Sequence, residues 1–323
     1  MLRSMEWKRD RIENAGLDES VRLFDFQVNG FAGVDFQRLE VEFEALQHAV
    51  ERLRWHRMAK ILYTLTTDSI DAICRKLEQV EGYRERDPAI AETVAGYHIE
   101  GPWISVEDGY NGAHPKELAV SPKESDFEKL WSASNGNIKL ITLAPEREGA
   151  IPMIETVTAR GVRVGLGHTN ASETDIDAAI RAGATMGTHV GNAVPAVIHR
   201  HDNVIQRLLA RDELIACLIP DGIHLPPFVL KNFYRAKPEG NVLFTTDCMA
   251  AAGAPPGKFT LRHRTLEVGA DGIVHLPGDT RFAGSSLCLD RGVRNLQAWL
   301  GFSEAEAIEM CSEKAAEHFG VAI

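Results

Sequence analysis

The chain carries no sign of export at its start. The stretch MLRSMEWKRDRIENAG is polar and mixed in charge, which excludes both a signal peptide and a transmembrane span there. A disulfide framework is missing too. The five cysteines, Cys74, Cys217, Cys248, Cys288 and Cys311, are odd in number and scattered, with no CxxC pair to make a zinc knuckle. Both absences point to a reducing compartment, and the cytoplasm is the expected location. No cluster of lysine and arginine stands against the formal net charge of -11, so nucleic acid is not an expected partner. The stretches RWHRMAK and YRERD read as solvated helix faces. No G-x-G-x-x-G opens a helix after the first strand, so nothing marks a dinucleotide-binding sheet.

What is present is the balance of an ordinary globular protein of 323 residues, 44% apolar and 25% charged. Apolar, β-branched runs of strand length begin at Val21, Ala59, Val94, Ile138, Val162, Ala184, Leu214 and Val242. Between most of them lie amphipathic segments such as VEFEALQHAVERLRWHR, SIDAICRKLEQVEGY and SETDIDAAIRAG, the last opened by Ser172 as a cap. Eight strands alternating with helices imply parallel pairing through right-handed crossovers, and predict an α/β fold of the (β/α)8 TIM-barrel type. The segment Ala254 to Gly284 has turn signals and alternating apolar residues, which predicts a β-hairpin excursion after the eighth strand.

A barrel of this kind keeps its chemistry at the C-terminal ends of its strands. The unusual polar residues fall there: Gln27 and Asn29 at the first strand, Glu100 at the third, His168 at the fifth, His189 at the sixth, His224 after the seventh and Asp247 at the eighth. Taken singly, a histidine or carboxylate near a strand end is more often a cap or a satisfied hydrogen bond. Together they form a pattern. Two histidines and a glutamate bind a divalent transition metal with a position left open for water. Such an ion acidifies water and polarises a carbonyl. Asp247 is suited to take the proton of that water and pass it to a poor leaving group such as an amine. Gln27 and Asn29, two residues apart in a strand, present two amides to one face.

The stretches HIEGPWIS, GAH, GHTNAS, THVGNAVP, DGIHL, TTDCMAAAG and FAGSSLCLDRGVRNL occur in register from Phe24 to about Gly320. With them the chain resembles the N-acetylglucosamine-6-phosphate deacetylase family of the amidohydrolase superfamily. The resemblance implies Glu100, His168 and His189 as metal ligands, Asp247 as catalytic acid/base, and His114 as a group that helps polarise the acetamide carbonyl. It also implies Asn192, Ala193, Arg200 and His224 as residues that hold the sugar phosphate. Many amidohydrolases end their first strand in His-x-His and bind a second metal there. Gln27 and Asn29 occupy those positions here, and amides are poor ligands for a transition metal that hydrogen-bond well to water or a sugar hydroxyl. One divalent ion per chain, Zn2+ or Fe2+, is therefore expected.

Members of this family commonly add a small β-sandwich domain built from strands on both sides of the barrel. Only about twenty residues precede the first strand here, so residues 1–323 are expected to form a single barrel without that domain. The expected reaction is hydrolysis of the acetamide of an N-acetyl amino sugar, foremost N-acetylglucosamine 6-phosphate. Expected partners are this small-molecule substrate, with a homodimer left open and no membrane. The alternatives are an unphosphorylated N-acetyl sugar or a different amide as substrate, or a non-catalytic sugar-phosphate-binding protein.

Overall fold

The computed structural model describes residues 14–261, 264–269, 271–275 and 282–323. Strand β1 (Leu23–Val28) is followed by a two-residue-per-strand ribbon, β2 (Gly30–Phe31) and β3 (Val34–Asp35). Seven further strands then run parallel to β1: β4 (Met58–Thr66), β5 (Val94–Glu100), β6 (Ile138–Leu143), β7 (Arg163–Leu166), β8 (Met186–Gly187), β9 (Ile215–Leu218) and β10 (Val242–Phe244). They lie side by side in chain order, the arrangement that eight successive βα units produce. Each of the eight runs read from the sequence overlaps one of these strands, and seven contain theirs whole; β4 begins one residue ahead of its run, at Met58.

The helices between them are α1 (Phe43–Trp55), α2 (Ile70–Arg86), α3 (Pro88–Thr93), α4 (Glu124–Ala133), α5 (Ala150–Thr158), α6 (Glu173–Ala182), α7 (Val204–Leu209) and α8 (Pro227–Ala236). Their apolar faces cover the outside of the sheet. Helix α6 shows how the sequence sets a boundary: Ser172 and Asp175 form a reciprocal capping box, and Gly183 at φ +113° ends the helix in the left-handed conformation.

The seam between β10 and β1 closes through isolated contacts. Val28 and Cys248 form a parallel bridge, and Asn29 N donates to Cys248 O at 2.7 Å. Beneath it, the buried Asp25 carboxylate accepts hydrogen bonds from the Thr245 and Thr246 hydroxyls, each at 2.6 Å. The floor of the barrel is apolar, built from Phe24, Phe26, Leu62, Leu140, Met186 and Leu243. After α9 (Leu289–Leu300) and α10 (Glu304–Met310), helix α11 (Glu313–Phe319) lies against this floor. Its Phe319 ring meets Phe24 at 5.8 Å and Phe26 at 5.3 Å between centroids.

Pairing of β1 with β4 shifts register between Asp25 and Val28. Phe26 packs in the floor and its neighbour Gln27 reaches the polar end of the barrel, so two consecutive residues serve the interior. Strict alternation would have sent one of them outward.

The excursion after β10 contains the predicted antiparallel hairpin and extends it by one short strand. It is a three-stranded antiparallel sheet of β11 (Gly257–Leu261), β12 (Arg264–Val268) and β13 (Val274–His275). A two-residue strand such as β13 is too short to leave an alternation pattern in the sequence. Part of the predicted hairpin, including residues 276–281, lies outside the described residues. The small sheet packs Leu266, Val268 and Val274 onto Met249, Ala250 and Ala251 of the loop after β10.

Candidate functional site

Glu100 is the last residue of β5, while His168 and His189 lie two residues beyond the ends of β7 and β8. All three are buried. Glu100 Oε1 is 3.1 Å from His168 Nε2 and 3.0 Å from His189 Nε2, and the two Nε2 atoms are 3.1 Å apart. Ligand atoms held about 2.0–2.2 Å from one ion stand roughly 3–3.5 Å from each other, so the spacing suits a shared cation. Two imidazoles and a carboxylate also make the donor set that a borderline ion such as zinc accepts. Burial raises the cost of the Glu100 charge, but hydrogen bonds from His168 and His189 and the nearby His114 hold its pKa well below the usual range. His189 is driven down by burial and lifted past it by Glu100, for a net rise.

Asp247 sits on the seam three residues past β10. Its Oδ1 accepts from Asn29 Nδ2 at 2.6 Å and Gln27 Nε2 at 3.0 Å, and the same Gln27 amide donates to Glu100 Oε1 at 3.0 Å. Burial and the Glu100 charge push Asp247 up to about 7, against the pull of His189, His224 and the Asn29 hydrogen bond. The two carboxylates are thus driven apart in acidity, the pattern that separates a permanent anion from a group able to exchange protons. Gln27 Oε1 and Asn29 Oδ1 are buried without a protein hydrogen-bond partner, which leaves two acceptors at the same place.

The backbone is strained where these side chains leave their strands. His168, His189 and Asp247 have φ of +51°, +30° and +50°, in the left-handed region that residues other than glycine seldom adopt. Each costs on the order of 1–3 kcal/mol, and such outliers cluster at functional sites. Three of them on one rim turn the imidazoles and the carboxylate inward.

Above the cluster is a cavity of about 440 Å³. His114 enters it from the loop after β5, with Nδ1 2.8 Å from Thr67 Oγ1 and Nε2 3.8 Å from Glu100 Oε2. Gly112 makes this approach possible. At φ +56°, a Cβ added there would lie 3.1 Å from His168 Cε1. Asn29, Asn192, Ala193 and His224 also line the cavity. His224 Nδ1 is held 2.6 Å from Asp221 Oδ2, and Asp221 Oδ1 accepts from His224 N at 2.8 Å. Burial lowers the His224 pKa, but the Asp221 charge and hydrogen bond outweigh it and raise the ring overall.

Of the residues read from the sequence, Arg200 is the one the fold leaves apart: it is exposed and does not line the cavity. Gln27 lies beneath the lining, in contact with the two carboxylates. Asp221, Thr67 and Phe282 were not anticipated. The D-x-x-H spacing of Asp221 and His224 was a usable signal, since it suits an acidic partner for the ring. Thr67 gave none, and Phe282 opens the stretch FAGSSLCLDRGVRNL without any role being read from it.

A second group, His56, Cys288 and Asp290, also gathers three potential ligands among the described residues. Its chemistry is different. Asp290 Oδ2 accepts from Ala15 N at 2.9 Å and faces His56 Nδ1 at 3.0 Å, while Oδ1 accepts from Arg291 N at 2.8 Å. The carboxylate is already committed on both oxygens. Burial opposes charge on His56, but the Cys288 sulfur and Asp290 carboxylate beside it lift its pKa to about 10. This group is a buried ion pair that holds α1, α9 and the segment at Ala15 together.

No helix among the described residues is long and apolar enough to cross a membrane. No family model matches the chain. At 33% identity over 307 residues it is similar to an N-acetylglucosamine-6-phosphate deacetylase of Rattus norvegicus, across 92% of this chain and 73% of that protein. At 32% identity over 301 residues it is similar to an N-acetylgalactosamine-6-phosphate deacetylase of Escherichia coli O157:H7, across 92% and 77%. Its fold matches, with a TM-score of 0.83 and 26% identity, a mutant N-acetyl-D-glucosamine-6-phosphate deacetylase of Mycobacterium smegmatis in complex with N-acetyl-D-glucosamine-6-phosphate, covering 93% of this chain and 77% of that one.

Proposed function

The chain belongs to the N-acetylglucosamine-6-phosphate deacetylase family, and from that premise we propose that it hydrolyses the acetamide of an N-acetyl amino sugar 6-phosphate to acetate and the free amine. N-acetylglucosamine 6-phosphate is the substrate we assign. The observation that carries this reading is the convergence of Glu100, His168 and His189 within 3.1 Å of one another, beside a separately held Asp247.

Glu100 Oε1 and the two Nε2 atoms would hold one divalent ion, Zn2+ or Fe2+. When bound, such an ion supplies Lewis acidity, lowering the pKa of water and polarising a carbonyl. Asp247 takes the proton of the attacking water and returns it to the departing nitrogen, as its raised pKa favours. Gln27 and Asn29 orient that carboxylate through their amide N–H groups. His114 donates to the carbonyl oxygen as charge develops on it, and Thr67 fixes its ring. Asn192, the backbone at Ala193 and His224 receive the phosphate, the last held in place by Asp221. Arg200 would join them only from another position, because it stands exposed outside the cavity. The five free cysteines and the phosphorylated substrate support a cytoplasmic location.

Elemental analysis together with an acetate-release assay tests the reading. Metal-loaded protein should hold about one ion per chain and release acetate from N-acetylglucosamine 6-phosphate faster than from the unphosphorylated sugar. A fully loaded protein that releases no acetate from any N-acetyl amino sugar would refute it.

A further inference from the structure

The mechanism above leaves one wall of the cavity unused. Where the small sheet meets the mouth of the barrel, Met249, Leu261, Phe282 and Ala283 form an apolar strip beside the polar groups. Met249 and Ala283 are buried in the core between the small sheet and the loop after β10, whereas Phe282 is 37% exposed. Phe282 thus keeps part of its aromatic surface open to the cavity, where covering it with apolar ligand surface would be favourable.

The backbone that follows the ring is also held in place. Ala283 N donates to Val274 O at 3.0 Å and Ser285 N to Asp247 O at 2.8 Å, so the backbone on the C-terminal side of Phe282 is tied to β13 and to the residue after β10 that carries the carboxylate. Its ring centroid lies 4.7 Å from that of His224, tilted by 53°. His224 in turn is pinned by Asp221.

We propose that Phe282 is a specificity-determining platform that takes the apolar C–H face of the pyranose ring while the 6-substituent reaches His224. A pyranose has a hydroxyl-bearing rim and flatter C–H surfaces, and an aromatic face buries the latter without leaving a polar group unpaired. The site then selects a closed-ring amino sugar by two adjacent elements, one aromatic and one basic. This inference rests on the sugar-phosphate reading above and adds a residue to it.

The test compares wild type, Phe282→Ala and Phe282→Trp, all metal-loaded. Calorimetry follows binding of glucosamine 6-phosphate and of inorganic phosphate, and acetate release from N-acetylglucosamine 6-phosphate is measured separately. The expected result for Phe282→Ala is binding of glucosamine 6-phosphate weakened by about tenfold, a matching rise in KM, kcat within about threefold, and unchanged binding of inorganic phosphate. Phe282→Trp should bind the sugar at least as well as wild type. Equal sugar binding by Phe282→Ala would overturn the proposal, as would no sugar binding by wild type. Equal weakening of phosphate would also overturn it, because Phe282 would then act only by holding His224. Intact sugar binding with no acetate release would instead refute the catalytic reading and leave the platform standing.

Discussion

Asn29 Nδ2 donates to Asp247 Oδ1 at 2.6 Å across the seam where β10 meets β1, 218 residues apart in the chain. The amide that directly follows the first strand is therefore fixed on the carboxylate that follows the last one. Gln27 extends the contact to Glu100, so both amides act on the charge balance of the site.

Asp247→Asn should remove the proton acceptor and keep the architecture. The carboxamide oxygen still accepts from Asn29 and Gln27, and loss of a charge near Glu100 relieves a repulsion. The expected kcat is lower by about 10³-fold, with metal content unchanged and Tm no lower than wild type. A kcat within a few-fold of wild type would remove Asp247 from the mechanism.

The pH profile follows from the same residue. Asp247 accepts a proton only when ionised, so kcat/KM should fall as pH drops through its pKa. Burial and Glu100 raise that pKa to about 7, and the positive charge of a bound ion lowers it again. The acid limb of the metal-loaded enzyme should therefore lie above 3.8 and at or below about 7. Full activity maintained down to pH 4 would contradict the assignment.

Gly112→Ala tests the loop that brings His114 in. The new Cβ would press on the His168 ring from a backbone at φ +56°, and the loop must move to relieve it. A displacement of a few tenths of an ångström at His114 and His168 should reduce kcat by about tenfold, while the unfolding free energy falls by only about 1 kcal/mol. Unchanged kcat would show that the loop tolerates the displacement and that His114 does not depend on it.

Stability at alkaline pH should report on His56. Its folded-state pKa of about 10 exceeds the ordinary 6.5, so its contribution is complete below pH 6.5 and is lost as pH rises toward 10. His56→Gln should cost about 3–5 kcal/mol at neutral pH, because Asp290 is left as a buried charge without its partner. Denaturant unfolding at pH 7 and pH 10 checks this. A cost that does not shrink at the higher pH would mean that His56 is held neutral.

The barrel was legible because most strand positions are buried on both faces and apolar runs of strand length therefore stand out, as in β1 with all six residues buried. The strand-end polar residues were legible for a related reason, since a charge at the end of an apolar run has no packing explanation. Other features leave no local trace. The left-handed backbone at His168, His189 and Asp247 is imposed by tertiary contacts on residues that do not favour it. His56 and Asp290 are 234 residues apart, and nothing near either one names the other. Arg200 shows the converse, since its stretch of sequence reads as part of the site and the fold leaves it exposed outside the cavity. Phe282 looks like any core aromatic until its exposure in the cavity is seen.

The seam has a consequence for activity. On the proposed mechanism Asp247 has no working setting until β10 has docked on β1, because its amide donors are Gln27 of β1 and Asn29 just beyond it, while its carboxylate follows β10. Glu100, His168 and His189 stand on β5 and just past β7 and β8, away from that seam, whereas the amide contacts of Asp247 are made across it. Turnover by that mechanism therefore requires the seam to be shut, and activity becomes a reporter of whether the ring of strands is closed.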